Sequence, residues 1–168
     1  INEAKKIVES ALRLYPRNLL LNQYKIDLSE KKNIDVFECK KKSHVVAEIL
    51  YITANALSSQ SLYSMSNFYL NLAKFLNEDF HSFETLLAEN FFKTDNFKDA
   101  KKIYKNLSKK GEAFRWFSTK QLARILIREE RKDEAIKLTN NAYESLIKKA
   151  IYETFDYAEF LKNNDKFE

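Results

Sequence analysis

The chain has 168 residues and a mass of 19.9 kDa, with 29 Lys and Arg against 24 Asp and Glu for a net charge of +5, which is enough for one domain with a continuous core. A single Gly and a single Pro cannot serve the tight turns of a sandwich or barrel, nor a Gly-rich phosphate loop or dinucleotide fingerprint, so an all-helical fold without nucleotide chemistry is expected. Cys39 is the one cysteine, and His44 and His81 are the two histidines, which excludes a disulfide framework and a Cys/His zinc cage; no metal, no cofactor and no enzymatic activity are expected.

Apolar residues recur at i, i+3, i+4 and i+7, the pattern of amphipathic helices. Taken in chain order, they predict helices at about 3–15, 18–31, 45–59, 61–76, 80–93, 96–109, 113–129, 132–147 and 150–163. Pro16 follows the first, Asn77-Glu78-Asp79 breaks the fourth, and Gly111 after Lys109-Lys110 reads as a left-handed cap on the sixth. Between the second and third, Asn33-Ile34-Asp35-Val36-Phe37-Glu38-Cys39-Lys40-Lys41-Lys42 reads as irregular. The longest apolar runs, such as Ile49 to Ile52, are broken by Glu48, Asn55 or Lys74, far short of the about 18 residues a membrane span needs. Ile1 opens the chain without a basic and then apolar leader. A soluble protein is expected, of the cytoplasm or periplasm of a bacterium.

Self-similarity runs through these helices. Thr53-Ala54-x-x-Leu57, Leu87-Ala88-x-x-Phe91, Leu122-Ala123-x-x-Leu126 and Tyr157-Ala158-x-x-Leu161 place a small residue at 54, 88, 123 and 158. A second column of small residues, Ala4, Ser66, Ala100 and Ala135, opens the following helices. Small side chains at these places let paired helices approach closely while the flanking Leu, Phe and Tyr interdigitate. Tyr63, Phe97 and Phe167 are expected to begin second helices and plug the turns.

On these residues the chain resembles the tetratricopeptide repeat family, most fully in Leu87-Ala88-x-x-Phe91 followed by Asn96-Phe97-x-x-Ala100-x-x-x-Tyr104, and in Ala4-x-x-x-Val8-x-x-Ala11 with Pro16. Thr53, Thr139 and Glu130 stand where the family carries a large apolar residue, an aromatic and Gly. The resemblance implies a right-handed α-solenoid of stacked antiparallel helix pairs. Its units would be the second helix of a truncated repeat at 1–16, a degenerate repeat at 17–46, repeats at 47–80, 81–115 and 116–150, and a truncated repeat at 151–168. A fragment of a longer repeat protein is expected.

In that family the first helices of successive units line a concave groove for a peptide or protein. The groove implied here carries Tyr51 and Asn55, then Glu89, Phe92 and Lys93, then Phe117, Lys120, Arg124 and Arg128, then Tyr152 and Phe155. Lys120, Arg124 and Arg128 share one helix face and could grip an acidic peptide, or form a solvated face neutralised by Glu89 and Glu159. The aromatics could anchor a partner or belong to the core between helices. A stripe of Phe68, Leu72 and Phe75 on the outer side of the fourth helix should not face water; it is expected to lie under the 29–46 segment or to be a partner or self-association surface. The open end of the last helix is a second place for self-association. The function expected is a protein-binding scaffold. An RNA-binding repeat is the alternative, since Ile103-Tyr104-Lys105-Asn106-Leu107-Ser108-Lys109-Lys110-Gly111 is similar to the pentatricopeptide pattern; nucleic acid is disfavoured because Glu48, Glu89 and Glu159 would repel phosphate. His44 and His81 are expected to cap helices rather than catalyse.

Overall fold

The structure, a computed structural model, describes residues 2–32, 38–147 and 149–164. The described residues are all helix and turn: α1 Asn2–Leu14, α2 Leu19–Ser29, α3 Lys42–Ser59, α4 Tyr63–Leu76, α5 Ser82–Lys93, α6 Phe97–Leu107, α7 Glu112–Arg128, α8 Lys132–Glu144 and α9 Ile151–Asn163. Every observed end lies within three residues of its expected place. Of the expected irregular segment, residues 33–37 lie outside the described residues, and α3 has already begun at Lys42. The expected Phe167 plug also lies outside the described residues. Tyr63 and Phe97 do open α4 and α6, and the Phe97 ring packs on Phe92 at 5.8 Å between centroids.

Three helix pairs, α3/α4, α5/α6 and α7/α8, turn in the same way. The backbone N–H of Leu62, Asn96 and Arg131 donates back to the carbonyls of Leu57, Phe91 and Leu126 at 3.0, 2.9 and 2.9 Å. The residue before each, Ser61, Asp95 and Glu130, sits at φ 62°, 55° and 61°. These are Schellman turns, and they carry the 34- and 35-residue period into the backbone. Glycine normally takes this left-handed position because it has no Cβ to clash; here Ser, Asp and Glu hold it under strain.

The chain divides into two compact units, one of Ile34–Leu107 and one of Ile1–Asn33 with Ser108–Glu168. In the first, α3 packs on α4 and α4 on α5. Ala47, Ala54, Ser66, Ala73 and Ala88 are fully buried at these crossings, around Leu70, Phe83 and Leu87. Ser66 Oγ donates to the Ala54 carbonyl at 2.8 Å. Asn90, wholly buried on α5, ties the three helices together: its Nδ2 donates to Ser66 Oγ and Asn67 Oδ1, both at 2.8 Å, and its Oδ1 accepts from Ser58 Oγ at 2.6 Å. At the start of α5, Glu84 meets His81 Nδ1 at 3.2 Å and Lys74 Nζ at 2.8 Å. Hydrogen bonding to His81, then Lys74, holds the Glu84 carboxyl down at about 2 against the opposing effect of burial. His81 stands at the N-cap position of α5, but its ring pairs with Glu84 and makes no side-chain cap to the backbone. In the first turn of α3, His44 Nδ1 accepts from the Glu38 backbone N–H at 3.1 Å.

In the other unit α1 pairs with α2, α7 with α8 and α8 with α9, and α2 packs on α7. A stack in strict chain order would pair each helix with its sequence neighbours, so the α2–α7 contact departs from that order. Its key is Gln23, buried on α2, whose Oε1 accepts from the Ala113 backbone N–H at 3.1 Å. That N–H is one of the orphan donors of the first turn of α7. Gly111 leaves the room: a Cβ there would lie 2.2 Å from Gln23 Oε1. The expected left-handed cap on α6 is therefore corrected, because Gly111 is the residue that enters α7 and its φ is 157°. The small-residue columns hold at Ala123 and Ala135, both fully buried, while Ala4 and Ala158 are exposed, since no described helix packs over that side of α1 or α9.

Two measurements test these assignments. Glu130→Gly and Ser61→Gly are each expected to stabilise the chain by about 0.5–1 kcal/mol in urea unfolding, because left-handed strain at a non-Gly residue is relieved. Glu84 has a folded value below its ordinary 4.5, so its contribution is full above that pH and is lost as pH falls toward about 2. Glu84→Gln should therefore flatten the acid limb of stability by about 2 kcal/mol between those pH values.

Candidate functional site

On α7, Ala113, Trp116, Phe117 and Lys120 follow the i, i+3, i+4, i+7 rhythm and so share one face. On α9, Tyr152 and Asp156 are one turn apart. These residues, with Arg17, Leu19 and Asn22 at the entry to α2, line an open cleft of about 50 Å³. Asn18 begins α2 with its side chain accepting from the Leu21 backbone N–H at 3.0 Å, which places Arg17 at the rim.

Asp156 organises the cleft. Its buried carboxylate accepts from Lys120 Nζ and, at 2.9 Å, from the half-exposed Arg17 guanidinium. The same guanidinium lies 5.7 Å from the centroid of the Phe155 ring, within cation–π range. Tyr152 donates to Glu153 Oε1 at 3.2 Å. Burial first, then the charges of Glu153, Asp156 and Glu112, raise the Tyr152 phenol above its ordinary value, so it stays a neutral donor. Glu153 is itself buried and accepts the Ala150 backbone N–H at 2.8 Å, closing the first turn of α9. Trp116 is 3% exposed, and its indole N–H has no hydrogen-bond partner among the described residues. Behind it the Tyr143 ring sits 6.1 Å from Trp116 and stacks on Tyr157 at 4.1 Å. A second opening, of about 120 Å³, lies between α1 and α2; it has no aromatic lining and no buried charge.

Of the residues expected to line a groove, Phe117, Lys120 and Tyr152 meet in the cleft, and Phe155 stands exposed at its edge. Arg124 and Arg128 continue along α7 as exposed cations, with Arg124 hydrogen bonded to Gln121. In the Ile34–Leu107 unit, Tyr51 is half-buried against Phe83 and Phe80, at 5.4 and 6.1 Å between centroids. Glu89 accepts from the Tyr104 hydroxyl at 3.4 Å and lies 3.9 Å from Lys93 Nζ, Phe92 packs on Phe97, and Asn55 is exposed. Phe68, Leu72 and Phe75 are exposed; of the 29–46 segment expected over them, residues 33–37 lie outside the described residues. Arg17, Trp116 and Asp156 went unread in the sequence. Helical spacing marks Trp116 and Asp156 as neighbours of Phe117 and Tyr152, whereas nothing local marks Arg17.

Among the described residues no three His, Cys, Asp or Glu side chains gather as a metal ion requires, and no helix is long and apolar enough to cross a membrane. No family model matches the chain, and neither does any curated protein or solved structure.

Asp156→Asn removes the charge that holds both cations. Because Lys120 and Arg17 are about one-third and over one-half exposed and can hydrate, the loss expected in urea unfolding is about 1–2 kcal/mol. Trp116 emission should shift to the red as the cleft loosens.

Proposed function

We propose that this chain is a helical-repeat scaffold of the tetratricopeptide kind that holds a segment of a protein partner and performs no chemistry of its own. The observation that carries this reading is the cleft, in which Trp116, Phe117 and Tyr152 meet Arg17 and Lys120. The recurring Schellman turns at 61, 95 and 130 support the repeat character. Phe117 and Tyr152 offer flat apolar area at little entropic cost, with Trp116, 3% exposed, packed behind them. Lysine has three donors and arginine five, so each cation keeps N–H groups beyond those given to Asp156 and can grip a partner carboxylate as well. The favoured partner segment thus carries Asp or Glu beside an aromatic or aliphatic residue, with Arg124 and Arg128 extending the cationic track along α7.

The test is selection from a random peptide library, followed by titration of chosen peptides against the emission of Trp116, the one tryptophan of the chain. Selected peptides should share an acidic residue next to an apolar one, and Phe117→Ala should weaken them about tenfold, a loss of about 1.4 kcal/mol. Peptides that bind Phe117→Ala and Tyr152→Ala as well as the parent chain overturn the reading, as does emission that responds to RNA oligomers alone.

A further inference from the structure

Helix α5 packs on the α3/α4 hairpin. Asn90 reaches it at Ser58, Ser66 and Asn67, Glu84 reaches Lys74, and Phe83 packs on Tyr51; all of these lie on the side where α5 sits. By helical register, Val46 and Ile49 on α3 and Met65, Phe68 and Leu72 on α4 fall on the side away from α5, with Phe75 at its edge. Those six side chains are exposed, Phe68 by 62%, Ile49 by 57% and Phe75 by 80%.

At roughly 100 Å² of apolar surface each, the six make a patch of about 600 Å², at the top of what a monomer leaves in water. Buried against an equal patch they would remove about 1,200 Å² in total, the lower edge of specific interfaces. Two further features point to the occupant. Residues 49–73 contain no Asp, Glu, Lys or Arg, and Lys42 at the start of α3 is the cation that register sets beside Val46 and Ile49, so the body of the face offers little charge for a charged partner to complement or to repel its own copy. The α4 stripe at 65, 68, 72 and 75 has the 3-4-3 spacing of a helix–helix seam and is symmetric about position 70, so an antiparallel copy sets Phe68 against Leu72 and Met65 against Phe75.

We propose that the chain forms a two-fold dimer through α3 and α4, with α4 antiparallel to α4 of the second copy. The interface is isologous, the form that closes without building a filament. It shares no residue with the cleft between α2, α7 and α9.

Sedimentation velocity of the full chain from about 5 to 200 μM tests this, a range suited to an interface of this size. A reversible dimer is expected, and Phe68→Glu and, separately, Ile49→Glu should each give a folded monomer by circular dichroism. Leu14→Glu on α1, at a residue 75% exposed, should leave the dimer intact. With Cys39 changed to Ser, mixing Phe68→Cys chains with Leu72→Cys chains should give a disulfide-linked heterodimer that Tyr15→Cys chains do not form. A monomer at every concentration overturns the proposal. So does a dimer that survives both Glu variants. Unfolding of both Glu variants also overturns it, because the face would then be covered from within the chain.

Discussion

Close approach of paired helices at small side chains is the constraint on which the rest of this molecule depends. Ala47, Ala54, Ser66, Ala73, Ala88, Ala100, Ala123 and Ala135 are all fully buried. A larger residue at these points would hold the axes apart, and the surrounding Leu, Phe and Tyr would lose their contacts. Tight crossing also brings backbone within reach of short polar side chains. Ser66 can donate to the Ala54 carbonyl only because the two helices nearly touch, and Asn90 can then bond to Ser66. A buried polar network of this kind is favourable only when each member finds its partner, so the small residues and the network define one geometry together.

The unit built from both ends of the chain meets a different requirement. Its α2 joins α7 through Gln23, whose amide fills the space that a side chain on Gly111 would take. The one glycine of the chain is thus placed where backbone and a buried amide come closest. This contact holds α2, and Arg17 just before it, beside α7 and α9. Asp156 then gathers the cations of Arg17 and Lys120 over aromatic walls.

Much of the fold was legible before any coordinates. Hydrophobic period located the helices of the described residues, and the recurrence of Ala and Ser marked the crossings at 54, 66, 88, 100, 123 and 135. The same columns misled at Ala4 and Ala158, where a small residue lies exposed, since composition alone does not say whether a neighbour arrives. The turns were harder to see. Ser61, Asp95 and Glu130 adopt the left-handed backbone without the glycine that would announce it. Of the residues lining the candidate cleft, Phe117, Lys120 and Tyr152 had been singled out by their positions along α7 and α9, but Arg17 had not.

The sequence by itself determined which segments are helical, where they pair with the next, and which faces are apolar, because those properties depend on hydrogen bonds and side-chain spacings within a few residues. Tertiary structure alone decided that Gln23 caps α7 across 90 positions, that Asn90 unites three helices, and that Asp156 draws Arg17 and Lys120 to one cleft. Each of these joins groups far apart in the chain, and the desolvation that makes them matter begins only when the helices close over them.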